Sequence, residues 1–362
     1  MCFRFILKME SITTSSYAVH FNAQAFEAMH NHLASKAYSK IFVLVDENTK
    51  ALCLPIFKEQ FSNAISFDLI EIKSGEENKN IDTCNDVWHA LSDMDADRKS
   101  LLINLGGGVV TDLGGFVAST YKRGIDFINI PTTLLAMVDA SVGGKTGVDL
   151  GPLKNQIGVI NQPEMVLIAS MFLETLEARQ MQSGFAEMLK HGLIQNAAYW
   201  EELKALKNLQ NIDDHIYKSV SIKNSVVLED PTEQHLRKIL NYGHTLGHAI
   251  ESYFLENQEK DTLLHGEAIA VGMVLEAYLS HKLTGLSKEE LDNIKSTFLR
   301  RYQKIDFTKN DITAILSLLK FDKKNSHGNI NFVLLEAIGK PIIDVKIPNE
   351  LYLEAFAYYK EQ

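Results

Sequence analysis

Residues 101–124 read LLINLGGGVVTDLGGFVASTYKRG, and this stretch decides the fold. Leu101 to Leu105 is a short, branched apolar run of the kind that forms a buried strand. It ends on Gly106-Gly107-Gly108, and Thr111 to Tyr121 then takes up helical spacing. On the N-terminal side, Ile41 to Val45 is a second such run, ending at Asp46, and Ser66 to Ile72 is a third, ending at Lys73-Ser74-Gly75. Between these runs Ala51 to Ala64 and Ile81 to Met94 carry helix-like spacing. On the C-terminal side Asp126 to Ile130 reads as a further buried strand, followed by Pro131-Thr132-Thr133 as its loop. A β-α-β-α-β order with strands apolar on both faces predicts a parallel sheet covered by helices. In such sheets ligands bind beyond the carboxyl ends of the strands.

The texture changes near Leu173. Glu177 to Asn196, Asp213 to Glu229, His235 to Asn257 and Leu264 to Leu283 all have helical periodicity, interrupted by Asp230-Pro231 and Gly285. Asn329 to Leu335 and Pro341 to Ile347 alternate like strands around Gly339, which predicts a small terminal hairpin. The expectation is an α/β Rossmann-like domain over 1–172 and a mostly α-helical domain over 173–362, with the boundary between Val166 and Thr175.

Composition narrows the function classes. The 362 residues make about two domains' worth of chain, and 46% hydrophobic with 23% charged residues is enough to bury a sizeable core. Lys and Arg number 36 against 46 Asp and Glu, a formal net charge of −10, the opposite sign from a protein that neutralises nucleic-acid phosphates. No apolar run approaches the roughly 20 residues that span a bilayer. The three cysteines, Cys2, Cys53 and Cys84, have no paired spacing, which argues against disulfides and thiolate metal sites and for a reducing, cytoplasmic compartment. Met1 to Lys8 lacks the apolar core and cleavage site of a signal peptide, and Met9 is a second plausible start.

Several motifs can carry chemistry. Gly106-Gly107-Gly108 lets backbone amides approach an anion at a helix N-terminus, although such clusters are often mere tight turns. Asp46 can accept from ribose hydroxyls, or simply cap a helix. Ser141 to Gly147 reads SVGGKTG and superficially resembles a phosphate loop, but the required glycine is missing because residue 139 is Asp and residue 140 Ala. What remains is a glycine-rich loop with Lys145, followed by Lys154 and Asn155, suited to a phosphate or carboxylate. In Asn241 to His248, His244 and His248 stand one helical turn apart, on the face expected also to carry Asn241 and Glu251. His265-Gly266-Glu267 opens another helix, and Glu187 lies on a helix with Lys190 and His191 one turn on. Glu and His on neighbouring helices are what a zinc-type cation takes in an open catalytic site. A lone helical histidine is more often structural, but several at one-turn spacing beside glycines raise the odds. Lys190, Lys223, Arg237, Lys323 and Lys324 read either as a solvated charged face or as an anion pocket beside a Lewis acid.

Together these motifs resemble the 3-dehydroquinate synthase family. The matching runs are GGGVVTDLGGFVASTYKRG (106–124), IPTTLLAMVDASVGGKTGVD (130–149), LKNQIG (153–158), GFAEMLKHGLI (184–194), LRKILNYGHTLGHAIE (236–251) and LHGEAIAVGM (264–273). The resemblance implies that Glu187, His244 and His265 bind a catalytic Zn2+ or Co2+, and that His248, instead of ligating metal, meets a substrate phosphate. It implies substrate roles for Lys145, Asn155, Lys190, Lys223, Arg237, Asn241 and Lys324. Arg123 resembles an arginine supplied to a neighbouring subunit's site, which implies a homodimer. For NAD the matching positions are Asp46, Glu76, Lys79, Gly107, Gly108, Asp112, Thr132, Thr133, Asp139, Lys145, Lys154, Phe172 and Thr175. Gln180 departs from the family's expected Glu, which touches a minor cofactor contact. The implied substrate is a seven-carbon sugar acid phosphate, and the positive charge implied around it by Arg123, Lys145, Lys190, Lys223, Arg237 and Lys324 is local, under an acidic whole-chain balance.

Two other enzyme readings stand beside this one, of which only the first shares the metal, NAD and phosphate positions. A related sugar phosphate cyclase acting on glucose 6-phosphate or sedoheptulose 7-phosphate differs around the substrate carboxylate, so Lys190, Lys223, Arg237 and Asn241 together favour a carboxylated substrate. An NAD-dependent polyol dehydrogenase predicts net NADH. A non-catalytic scaffold requires a structural metal trio.

Overall fold

The computed structural model describes residues 9–61, 65–151, 153–319 and 330–361. They form two compact units, 1–148 with 158–176 and 149–157 with 177–362.

The first unit is built on one sheet. Its strands are β1 (Ile12–Thr13), β2 (Ala18–Phe21), β3 (Ile41–Asp46), β4 (Asp68–Ile72), β5 (Leu101–Gly106) and β6 (Asp126–Pro131). Next in the chain come β7 (Lys145–Leu150) and β8 (Leu153–Ile160), a separate two-stranded ribbon, and then β9 (Met165–Ile168) rejoins the main sheet. The order is β1-β2-β9-β6-β5-β3-β4, parallel throughout except at the β1–β2 edge. The helices between strands are α1 (Ala23–Ser35), α2 (Glu47–Leu52), α3 (Leu54–Gln60), α4 (Ile81–Asp93) and α5 (Gly108–Thr120). The central strands are buried along their length because both faces are covered, the reason their sequences show no alternation. The chain passes from β3 outward to β4, then returns past β3 to β5. That reversal makes the carboxyl ends of β3 and β5, at Asp46 and Gly106, the switch point where a ligand can bind.

The second unit is helical: α6 (Ala178–Gln195), α7 (Ala197–Ala205), α8 (Asp213–Glu229), α9 (His244–Glu256), α10 (His265–Leu283), α11 (Lys288–Arg301), α12 (Lys309–Leu318) and α13 (Asn349–Lys360). Its hairpin is β10 (Phe332–Ala337) with β11 (Lys340–Val345), antiparallel. Phe185, Trp200, Ile269, Leu275 and Phe298 lie in its core.

Three expectations change. Of the single helix read over Ala51 to Ala64, the described part holds the end of α2 and all of α3, because Leu54-Pro55 starts a new helix at its first turn, and residues 62–64 lie outside the described residues. Of the glycine-rich loop read over Ser141 to Gly147, only the part to Gly144 is a turn, with Gly143 and Gly144 at φ 103° and 71°; Lys145 onward is the strand pair of β7 and β8. The helix read over His235 to Asn257 breaks at Gly243, whose φ of 78° is left-handed, leaving a 3-10 segment Leu236–Asn241 and then α9. Asn241 therefore does not share the helical face of His244, His248 and Glu251.

Candidate active site

In the second unit Glu187 is buried in the middle of α6, with Lys190 one turn on and ion-paired to it. His244 is the first residue of α9 and His265 the first of α10. One oxygen of Glu187, Oε1, lies 3.5 Å from Nε2 of His244 and 3.5 Å from Nε2 of His265. Donor atoms of these three residues all come within 4.8 Å of one another. Two donors each ~2.1 Å from a tetrahedral ion stand ~3.4 Å apart, so the spacing suits a divalent cation of zinc type with a position left over.

The charges agree. Burial, with Lys190, His248 and His265 nearby, holds the His244 imidazole well below its ordinary pKa, so it is neutral and keeps a lone pair. His244 Nδ1 lies 3.0 Å from the Tyr242 carbonyl oxygen, which takes the N–H there and leaves the lone pair on Nε2. His265 behaves in the opposite way. Burial opposes its charging, but Glu251 and Glu187 outweigh burial and push it up to about 10. Two carboxylates converging on this imidazole favour positive charge between them.

His248 faces both metal-type histidines, with ring centroids 5.1 Å from His244 and 5.9 Å from His265. Lys223 is buried on α8. Arg237 is buried, and its Nη1 donates to the Pro231 carbonyl over 2.7 Å. Asp230 folds this segment by accepting from the backbone N–H groups of Gln234, His235 and Arg237. Asn241 donates from Nδ2 to Glu233 over 2.9 Å. Asn155 sits at a left-handed φ of 52°, its N–H held by Asp149. Lys154 belongs to this unit too, 3.2 Å from Glu251 and 3.7 Å from Asp149. Lys324 lies outside the described residues.

In the first unit Gly107 precedes α5 with no side-chain cap among the described residues, and a Cβ there would meet the Thr133 methyl at 3.0 Å. A bare backbone at a helix N-terminus fits a pyrophosphate. Lys79 is buried, 2.6 Å from Asp112 and 3.8 Å from Glu76. Thr132 is buried, with its N–H on Gly106, and Thr133 accepts from Ala136 N–H. Asp139 lies in a π-helical turn, Ala136–Ala140. Phe172 is wholly buried, and Thr175 donates to its carbonyl. Asp46 caps α2, its Oδ1 accepting from Thr49 N–H at 2.7 Å. Lys145 opens β7, and Arg123 is exposed with φ 72° beside Lys122 at 48°.

Sequence reading missed two carboxylates. Glu276 on α10 is buried and accepts from Gly243 N–H at 2.6 Å and Leu246 N–H at 3.3 Å, closing the N-terminus of α9 where His244 sits. Its partner is 33 residues away, so no local pattern announces it. Glu251 stood on the expected face of α9 but had no role; it meets His265.

Two family models match most of the chain. The N-terminal 3-dehydroquinate synthase model matches residues 69–183 and the C-terminal model 184–325. A 3-dehydroquinate synthase from Parabacteroides distasonis is 41% identical over 92% of this chain and 95% of its own. The chain belongs to the 3-dehydroquinate synthase family. It is an enzyme of that family, and a Campylobacter jejuni 3-dehydroquinate synthase is 39% identical over 86% of this chain and 90% of its own. The fold is shared with a solved 2-deoxy-scyllo-inosose synthase, complexed with carbaglucose-6-phosphate, NAD+ and Co2+, at a TM-score of 0.80 and 24% identity over 96% of this chain and 99% of that one. A 2-epi-5-epi-valiolone synthase from Streptomyces hygroscopicus, with NAD+ and Zn2+ bound, also scores 0.80 at 24% identity, covering 97% and 98% of the two chains. Among the described residues no helix is long and apolar enough to cross a membrane.

Proposed function

We propose that this chain converts 3-deoxy-arabino-heptulosonate 7-phosphate to 3-dehydroquinate and phosphate, using NAD and a divalent ion, zinc or cobalt. The observation that carries the reading is the Glu187 oxygen 3.5 Å from Nε2 of both His244 and His265, in a chain 41% identical to a 3-dehydroquinate synthase. Glu187, His244 and His265 would hold the ion, and the residues around Gly107, Gly108 and Asp112 would hold NAD. When bound, the ion supplies Lewis acidity at vicinal hydroxyls, and NAD supplies a hydride acceptor that is restored before product leaves.

The chain's own residues bind and orient. Lys190 and Lys223, both buried, and Arg237, aimed by the Pro231 carbonyl, give charge-assisted hydrogen bonds to the substrate carboxylate and hydroxyls. Asn241, held by Glu233, adds a neutral contact. His248 and Asn155 take the phosphate, and a phosphate oxygen accepts the proton from the carbon next to the oxidised centre as the phosphate leaves. Closure to the carbocycle needs chiefly that the opened chain be held in a reactive conformation.

The test follows phosphate release and NADH together. Release from the heptulosonate phosphate with no net NADH at completion supports the reading. Net NADH from an alcohol would make it a polyol dehydrogenase, and turnover only of sugar phosphates lacking a carboxylate would make it a related cyclase.

We further assign the chain to the cytoplasm, where its buried free thiols Cys53 and Cys84 stay reduced, and to a homodimer in which Arg123 serves the partner's phosphate. Lys122 and Arg123 are consecutive non-glycine residues in the left-handed region, a conformation costing of order 1–3 kcal/mol each. That turn carries Arg123 to the surface. Mixing Arg123→Ala with His265→Ala chains, each inactive alone, should restore activity at about a quarter of the sites on random dimer exchange. No recovery under exchange would remove Arg123 from the partner's site.

A further inference from the structure

We propose that Glu251 and Lys154 are positioning residues for His265: Glu251 takes the Nδ1–H and so presents Nε2 to Glu187 and His244, while Lys154 holds Glu251 in place. The inference rests on the metal reading given above and deepens it.

Glu251 lies seven residues along α9 from His244, two turns on and on the same face. Its Oε2 is 3.2 Å from His265 Nδ1, and its Oε1 is 3.2 Å from Lys154 Nζ. Lys154 and Glu251 are nearly buried, with side chains 7% and 8% exposed. A neutral imidazole has one N–H and one lone pair, and an ionised carboxylate only accepts. In the neutral form that ligates a metal the hydrogen therefore belongs on Nδ1 and the lone pair on Nε2, which stands 3.5 Å from Glu187. The Tyr242 carbonyl does the same for His244 over 3.0 Å. Two different acceptors thus set one tautomer in both histidines.

Glu251 could instead be a ligand, since His248, Glu251 and His265 also offer donor atoms within 4.8 Å of one another. The second oxygen decides between the two: Glu187 carries the Lys190 ammonium yet still turns Oε1 to both histidines, whereas the oxygen of Glu251 that is not on Lys154 faces His265 Nδ1. With the ammonium on one oxygen and Nδ1–H on the other, Glu251 is committed to orienting. Asp149, 3.7 Å from Lys154, is a second carboxylate holding that ammonium. A partner of this kind around a metal-ligating histidine is worth 10–100-fold in affinity as an order of magnitude.

The experiment is zinc affinity by chelator competition, read beside the His265 tautomer in 15N NMR of the zinc-loaded chain. Glu251→Ala should weaken zinc roughly 10–100-fold and leave His265 without a fixed Nδ1–H signal. Glu251→Gln keeps an accepting oxygen and should retain both the tautomer and most of the affinity. Lys154→Met should weaken zinc less than Glu251→Ala. A loss of packing alone lowers stability without this Ala-to-Gln split or a tautomer change. Should Glu251→Ala fail to fold, Glu251→Gln and Lys154→Met carry the test: Gln without the Nδ1–H tautomer, or Met with affinity and tautomer both unchanged, overturns the proposal. Parent chain binding zinc stoichiometrically while Glu251→Ala binds within about twofold of it, tautomer retained, overturns the positioning role alone. Parent chain that binds no zinc overturns the metal reading on which it rests.

Discussion

Gly272→Ala sets two effects of opposite sign against each other. Gly272 lies inside α10, where glycine is a poor helix residue, and propensity alone says that alanine should stabilise by ~1 kcal/mol. Packing says otherwise. A Cβ on Gly272 would overlap the Gly243 carbonyl oxygen outright and would stand 2.8 Å from Gly247 N and 3.0 Å from Gly247 Cα. These are backbone atoms of the α9 N-terminus, with no side chain to swing aside, and ordinary contact begins near ~3.4 Å. Helices α9 and α10 must therefore part by more than about an ångström, and overpacking of this kind costs about 1–3 kcal/mol. Because the overlap is with backbone, we expect the upper end of that cost, a net destabilisation of about 2 kcal/mol after propensity is subtracted. Since His244 and His265 start the two helices that part, zinc affinity should fall as well. Denaturant unfolding reads the first effect and chelator competition the second. Gly285→Ala is the control: its φ of 99° strains any side chain, but nothing lies within 4 Å, so stability should fall and zinc affinity should not. A Gly272→Ala chain as stable as the parent, with unchanged zinc affinity, would refute the close-packing argument.

Three further outcomes follow from the same geometry. Glu276→Ala strips the acceptor from Gly243 and Leu246 N–H at the start of α9; unfolding should show a loss of roughly 2–4 kcal/mol. His265→Ala should abolish stoichiometric zinc binding, measured by elemental analysis, while circular dichroism stays near that of the parent; retained zinc would displace His265 from the site. Asp311 tests the acid limb. Burial alone would raise its pKa, but hydrogen bonds from Lys260, Tyr253 and Thr308 outweigh burial and hold it well below the carboxylate range. Its folded pKa lies below its unfolded value, near ~3.9, so its stabilisation is full at neutral pH and fades as pH falls through that range. Asp311→Asn should lower stability at pH 7 and flatten the loss below about pH 5; an unchanged acid limb would mean the network contributes nothing.

Much of the fold was legible in the sequence where a local period carries it. The apolar runs at Ile41 and Leu101 are strands because covering both faces of a parallel sheet leaves no polar side to alternate with. Legibility failed where one residue changes the backbone. Gly243 at φ 78° splits a continuous helical pattern and takes Asn241 off the face of His244. The strand pair of β7 and β8 looked like a loop because a glycine interrupts β7 and β8 is mostly exposed, so neither run shows an apolar alternation.

What the sequence by itself determined is the succession of elements, the one-turn spacing of His244 and His248, and membership in a family through six runs in order. All of these are properties of neighbours along the chain. Tertiary structure alone decided which carboxylate faces which histidine nitrogen: Glu187 on Nε2 of two histidines from two helices, Glu251 on Nδ1 of one, Glu276 on the amides before the other. Hydrogen bonds and ion contacts fall off within a few ångströms, and residues 33 or 78 positions apart reach that distance only once helices have packed.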